Sequence, residues 1–273
     1  MGNRELVDEL FHRDIDAVMH FGAFSQVSES VQKPLIYYEN NFSKSTVLLD
    51  AMLRNDVKKI IFSSTAAVYG EPRKLPIKES QACRPVNPYG TSKWMIENLL
   101  MDCDRAYGLK SISLRYFNAA GADDASTIGE RHEPETHLIP LVLKTAAGQR
   151  ETVSIFGSDY PTKDGTAVRD YIHVNDLVEA HMLALEALMN GKPTNAYNLG
   201  NGQGYSVKEI IETARKVTGE NIRAIEKDKR AGDSAVLIAS ADKIKRELGW
   251  QPQYDDLDAI IESAWRWHRK EER

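Results

Sequence analysis

Short apolar runs alternate with longer stretches of helical texture over the first half of this chain. Ala17-Val18-Met19-His20-Phe21, Lys59-Ile60-Ile61-Phe62-Ser63-Ser64-Thr65 and Ser111-Ile112-Ser113-Leu114-Arg115-Tyr116 have the length and continuity of buried parallel strands. Between them the pattern predicts a short charged helix over 3–13. A second helix is expected from Leu35 to about Asn55, with Pro34 suited to its first turn. Asn40 and Asn41 sit inside it, where asparagine is a poor helix former, so either solvent or a ligand accounts for them. A loop holding Pro72, Pro76, Pro85 and Pro88 leads to a third helix, from Tyr89 to about Tyr107, which Gly108 stops. Strand–helix–strand–helix–strand is the pattern of a doubly wound parallel α/β sheet.

The texture changes after Phe117-Asn118. Residues 119–136 carry Gly, Asp, Ser and Pro without periodicity, and a loop of that length inside a compact domain is usually functional. A helix is expected from His137 to Ala147 and a strand over Val153-Ser154-Ile155-Phe156-Gly157. A polar loop over 157–167 then leads into the run from Val168 to Val174. Asn175-Asp176 opens a helix to about Met189, and Asn195 to Gly200 reads as a strand. Ser206-Val207-Lys208-Glu209 is a capping box for a helix that ends at Gly219. Ser240 can cap a helix ending before Gly249. The last helix, from about Asp256, sets Ile260, Ile261, Ala264, Trp265 and His268 on one apolar stripe, which is expected to pack in the core. No internal repeat is present.

Composition narrows the function classes. A net charge of −5 argues against a nucleic-acid or membrane-surface protein. The two cysteines, Cys83 and Cys103, do not make a secreted disulfide framework, and no metal-ligand spacing is seen, so no metal is expected. The start, Met1-Gly2-Asn3-Arg4-Glu5-Leu6, lacks the apolar core of a signal peptide, and no run approaches a membrane span. The expectation is a cytoplasmic protein.

Candidate chemistry centres on Tyr89-Gly90-Thr91-Ser92-Lys93. Residues four apart share one helix face, so the Tyr89 phenol and Lys93 ammonium can reach one pocket. A nearby cation favours the phenolate, which makes a base for a sugar or alcohol hydroxyl. The strand over 59–65 ends in Ser64 and Thr65, and ligands of open α/β sheets bind at strand carboxyl ends. Gly22-Ala23 at the end of the first strand lets a ligand approach the backbone closely.

This hydroxyl–phenol–ammonium set resembles the Ser/Thr–Tyr–Lys triad of the short-chain dehydrogenase/reductase superfamily. Further runs resemble its extended branch, the UDP-glucose 4-epimerase family, across the whole chain. They are His20-Phe21-Gly22-Ala23, Glu29-Ser30-Val31-Gln32-Lys33-Pro34, Phe62 to Gly70, Asn87-Pro88-Tyr89-Gly90, Arg115-Tyr116-Phe117-Asn118, Phe156-Gly157 with Asp159-Tyr160, and Val168 to Val174.

The resemblance implies a Rossmann-like doubly wound parallel sheet over 1–117, binding NAD and lacking its first strands, with a return excursion near 168–200. It implies a smaller α/β substrate-binding region over 118–273. It makes Tyr89 the base, Thr65 the holder of the sugar 4-hydroxyl, and Lys93 the residue that tunes Tyr89 and binds the nicotinamide ribose. Its cofactor contacts fall on Phe21, Gly22, Ala23, Phe24, Ser25, Asn40 and Phe117, although the family often has Lys where Ser25 stands. Asn118 would bind sugar or phosphate, and His137 with Leu138 would open a helix toward the pyrophosphate, many members having Asn where His137 stands. Ser154, Ile155 and Phe156 would line the uracil pocket, Arg169 and Arg230 would pair with the diphosphate, and Asp233 would accept from a ribose hydroxyl. Alignment from Arg230-Ala231-Gly232-Asp233 puts Leu237 where some members carry a bulky Tyr beside the sugar 2-position. Room for an N-acetyl group is therefore expected. A homodimer acting on UDP-sugars in galactose metabolism follows from the same resemblance.

Two departures bear on that expectation. Related dehydratases carry Asp-Glu directly after the Thr, whereas here Ala66 and Ala67 offer only methyl groups, which cannot transfer protons. The Gly-rich dinucleotide fingerprint is absent. Family members begin with two further βα units and a third strand, roughly 60 residues at ~25 per unit. The strand at 17–21 is thus expected to form an open sheet edge, and this chain alone to bind NAD weakly and be inactive.

Overall fold

The computed structural model describes residues 2–230 and 233–271, so Ala231 and Gly232, which anchor the alignment of Leu237, lie outside the described residues. In chain order, α1 (Arg4–Leu10) precedes β1 (Val18–His20). Then come α2 (Val27–Gln32), α3 (Pro34–Tyr37), a π-helical stretch (Tyr38–Ser43) and α4 (Lys44–Arg54). β2 (Lys59–Thr65) runs into a 3-10 turn (Ala66–Tyr69), followed by α5 (Pro88–Tyr107), β3 (Lys110–Tyr116) and β4 (Asn118–Ala120). The second half holds α6 (Leu138–Ala146), β5 (Val153–Phe156), β6 (Val168–Arg169), β7 (Tyr171–His173), α7 (Val174–Met189) and β8 (Asn195–Leu199). It ends with β9 (Tyr205–Ser206), α8 (Val207–Thr218), β10 (Ala224–Lys227), β11 (Val236–Leu237), α9 (Asp242–Leu248) and α10 (Leu257–Glu271).

The three apolar runs pair as parallel strands, and β8 returns to join them in the order β1-β2-β3-β8. Alternate side chains of β2 serve opposite faces of this sheet. Ile60 and Phe62 pack with Leu48, Met52, Ile96 and Leu100 from α4 and α5, while Ile61 packs with Ile112, Leu114, Ala180, Ala184 and Trp250 on the other side. Burial on both faces explains why these strands read as continuous apolar runs rather than alternating ones. β1 pairs only with β2 among the described residues, so the expected edge at 17–21 is present. A separate apolar cluster forms where α6, α8 and α10 meet β5, and it holds Ile260, Ile261 and Ala264 of the predicted stripe.

Several elements differ from expectation. The helix from Leu35 to Asn55 is interrupted by the π-helical stretch, which contains both Asn40 and Asn41. α2 was not foreseen, nor were β9, β10 and β11, which are too short to show a period. The run from Val168 to Val174 breaks at Asp170, whose buried carboxylate accepts hydrogen bonds from the backbone N–H groups of Asn201, Gly202 and Ala239 at 2.8, 3.1 and 3.0 Å. Ala241, not Ser240, is the N-cap of α9; the Ser240 hydroxyl lies one position too early and meets the Asp242 N–H only at 3.4 Å. The Ser206 capping box and the left-handed Gly108 and Gly219 caps form as expected.

Candidate functional site

The first turn of α5 is built to lie against the end of β2. Asn87 caps it by accepting from the Gly90 N–H at 2.8 Å, and Pro88 fills the first helical position, where its missing donor costs nothing. A Cβ on Gly90 would stand 2.5 Å from the Ala67 carbonyl oxygen, so only glycine lets the helix approach the 3-10 turn this closely. That approach sets Tyr89 beside Thr65, whose hydroxyl favours the ionised phenol. The Thr65 oxygen also accepts from the Ala67 N–H at 3.1 Å.

Burial controls the titration of both α5 groups. It pushes the Tyr89 phenol up, against the opposing effect of the Thr65 hydroxyl, with Tyr116 and Tyr37 adding to the rise. It pulls the Lys93 ammonium down to about 8, against the attraction of Glu97. The expected depression of Tyr89 by Lys93 is therefore not what this pocket produces. Lys93, 3% exposed, donates to the Ser63 carbonyl at 2.8 Å and lies 4.9 Å from the centre of the Phe62 ring.

A polar network that the sequence reading missed supports this corner. Glu97, one helical turn beyond Lys93, makes a buried ion pair with Arg115 of β3, at 3.0 Å from Nε and 2.5 Å from Nη2. The Ser64 hydroxyl donates to the same carboxylate. Arg115 continues to the Tyr69 hydroxyl at 2.8 Å, and Tyr69 donates to Asn198 Oδ1 at 2.7 Å. The network ties α5 to β2, β3, β8 and the 3-10 turn.

At the carboxyl end of β1, the loop from Phe21 to Ser25 is held by Asn41. Its side chain accepts from the Phe24 N–H at 2.8 Å and donates to the Phe24 carbonyl at 3.0 Å and to Ser92 Oγ at 3.1 Å. Asn41 is fully buried; Asn40, the expected contact, is half-buried and bonded to Asn41 and Lys44. Asn40, Phe24, Leu35, Ile36, Glu39 and Lys44 line a shallow cleft of about 370 Å³. Phe21 and Phe24 keep 55% and 45% of their surface exposed beside Gly22, Ala23 and Ser25. Flat exposed rings and a buried ammonium with donors to spare suit the nicotinamide half of NAD.

Residues from the second half gather less uniformly. Asp233 accepts from Arg230 Nε at 2.8 Å and lies 3.9 Å from Arg169 Nη2, so the three form one ion-paired group. The Arg230 guanidinium stands 4.8 Å from the Phe156 ring centre, and Arg169 donates to the Val168 carbonyl at 2.9 Å. Ser154 and Phe156 share one face of β5, but Ile155 points into the core, so its side chain does not line a pocket with them. Phe117 and Leu237 both pack against Val68, Tyr69 and Ile77, next to the turn that follows Thr65. Asn118 opens β4, and its N–H donates to the Asp170 carbonyl at 3.1 Å. His137 is the N-cap of α6, with Leu138 its first residue.

Comparison with known proteins adds the following. Residues 1–200 match the model of the NAD dependent epimerase/dehydratase family. A UDP-glucose 4-epimerase of Halalkalibacterium halodurans is 54% identical over 267 residues, covering 97% of this chain and 80% of that protein. A crystal structure of a UDP-glucose 4-epimerase superposes with a TM-score of 0.96 at 50% identity, over 99% of this chain and 83% of the other. The Bifidobacterium longum UDP-glucose 4-epimerase, solved in complex with NAD+ and UDP, gives a TM-score of 0.94 at 41% identity, over 98% of this chain and 81% of that one.

Proposed function

The chain belongs to the UDP-glucose 4-epimerases of the NAD dependent epimerase/dehydratase family, and from that premise we propose how its own residues epimerise UDP-sugars at carbon 4. NAD, when bound, supplies the hydride acceptor and donor, so net redox change is zero. Residues 1–117, with the return through 168–200, hold the cofactor, and Phe21 to Ser25, Asn40, Lys93 and Phe117 face its nicotinamide half. Residues 118–273 hold the UDP-sugar. Asn118, the amino end of α6 from Leu138 onward (the His137 N–H is taken by Glu135), Arg169 and Arg230 serve the diphosphate side, Ser154 and Phe156 the uracil, and Asp233 the ribose.

Tyr89 takes the proton of the sugar 4-hydroxyl and returns it to the opposite face after the 4-keto sugar has turned in the site. Thr65 holds the 4-oxygen. A phenol that burial pushes up is a strong base once ionised. Lys93, anchored at the Ser63 carbonyl, turns its remaining N–H groups to the nicotinamide ribose. The close approach of α5 to the end of β2, which sets Tyr89 beside Thr65, carries this reading. Ala66 and Ala67 supply no acid or base, which favours epimerisation over dehydration. The same reading has the enzyme working in galactose metabolism, in the cytoplasm and as a homodimer, which analytical ultracentrifugation tests.

The deciding experiment is Tyr89→Phe in the chain extended by the amino-terminal βα units that family members carry, assayed with UDP-galactose and NAD. A loss of ~10²–10⁴ in rate is expected, with UDP-sugar binding retained by calorimetry. A variant that keeps more than about half of the parent rate would remove Tyr89 from the role of base.

A further inference from the structure

Four ligand-type side chains converge outside the catalytic corner. Glu130, His132, Glu135 and His137 each bring one donor atom to within 4.8 Å of all the others. His137 Nδ1 lies 2.8 Å from Glu130 Oε1 and 2.9 Å from Glu135 Oε1, while His132 Nδ1 lies 3.2 Å from Glu130 Oε1 and 3.7 Å from Glu135 Oε2. Both imidazoles thus turn the same nitrogen toward the same two carboxylates. Their rings stand 4.9 Å apart. The sequence shows no metal-ligand spacing because these residues fall in one loop without cysteine; the fold brings their donor atoms together.

We propose that Glu130, His132, Glu135 and His137 form a site for one divalent transition-metal ion, zinc by the chemistry of its donors, which clasps the 119–136 loop to the amino end of α6. The His–Glu separations of 2.8–3.7 Å lie about the ~3.3 Å edge of a tetrahedron with bonds of ~2.0–2.1 Å to nitrogen and oxygen, His132 meeting Glu135 through Oε2 and His137 through Oε1. Two neutral imidazoles and two carboxylates leave a divalent ion electrically balanced. Imidazole favours zinc over magnesium or calcium, and four protein donors leave no open position, which is the form of a structural site.

Three features hold the donors in place. The backbone N–H groups of Thr136 and His137 donate to Glu135 Oε1 at 2.7 and 2.8 Å, which fixes the carboxylate as outer-shell partners do in metal centres. Gly129 lies flat on the Trp267 indole, where an added Cβ would come within 2.3 Å of the ring, so the segment entering Glu130 is seated on α10. His137 stands at the N-cap of α6 yet makes no capping bond; its ring is committed to the cluster instead. Isolated His–Glu ion pairs are worth little singly and do not require four groups to share one centre.

The test is metal binding by the purified chain after chelation and desalting. Zinc titrated by calorimetry should bind one to one, and cobalt(II) in its place should show the intense visible bands of four-coordinate nitrogen and oxygen ligation. His132→Ala and Glu130→Gln should each weaken zinc by at least the ~100-fold that loss of an outer-shell partner can cost, and should abolish the cobalt bands. His12→Ala, at an exposed histidine that is not part of the cluster, should bind as the parent does. Far-ultraviolet circular dichroism confirms that each variant is folded; should His132→Ala fail, Glu130→Gln decides alone. Absence of one-to-one binding in the folded parent, or parent-like affinity in a folded cluster variant, overturns the proposal.

Discussion

A phenol and an ammonium one turn apart on α5 are displaced by burial in opposite senses, and the ammonium gives a measurable signature. Lys93 falls from an ordinary value near 10.5 to about 8 in the folded chain. Between those values the unfolded state keeps a proton that the native state has released, so Lys93 makes stability rise with pH across that window. Lys93→Met should lose this rise. Urea denaturation of both proteins at about pH 7.5 and about pH 9.5 reads it, and equal slopes would place the ammonium in solvent. Leu237 decides a different property. It packs beside the turn after Thr65 and is smaller than the tyrosine that some relatives are expected to carry, so activity on the N-acetylated UDP-sugars should accompany activity on UDP-glucose and UDP-galactose. Leu237→Tyr should depress the N-acetyl reaction selectively; equal loss on both substrate pairs would count against steric control.

At the scale of elements, α5 is placed by a buried charge pair rather than by apolar packing alone. Removing one partner of such a pair strands the other, so Glu97→Ala should cost ~3–5 kcal/mol in unfolding free energy by leaving Arg115 buried and unpaired. Glu97→Gln, which keeps a hydrogen-bond acceptor, should cost less. α8 offers a calibration, because its capping box is separate from the site: Ser206→Ala should cost ~1 kcal/mol with little effect on turnover. A Glu97→Ala loss no larger than that of Ser206→Ala, in the same denaturation series, would show that Arg115 reaches water.

For the whole molecule, the acid limit of stability should depend on His20. Its ring is buried at the sheet edge, 2.8 Å from Ser45 Oγ, and burial with help from Lys93 lowers it to about 4. Between about 4 and 6.5 the unfolded chain takes up a proton that the native state refuses. Stability contributed by the neutral ring is therefore complete above that window and is lost as pH falls through it, by up to ~3 kcal/mol. His20→Gln should flatten the fall between about pH 6.5 and about pH 4.5; an unchanged slope would assign it to the carboxylates.

Local pattern was enough for the parallel strands and for the Tyr89 helix with its Gly108 stop, and it brought Thr65, Tyr89 and Lys93 forward as candidates, because these rest on periodicity and on short spacings. It also carried the family, through motifs that stay contiguous along the chain. Which polar groups meet was settled by the packed fold. Asn41 rather than its neighbour holds the Phe21–Ser25 loop through Phe24, and reaches Ser92 across 51 positions. Asp170 breaks a strand in order to bind Ala239, 69 positions away. Ile155 turns inward because β5 alternates against a core built by α6, α8 and α10. Lys93 meets the Ser63 carbonyl instead of depressing Tyr89. Each outcome depends on a buried donor or acceptor finding its partner once distant segments have packed, and no local pattern encodes which partner that will be.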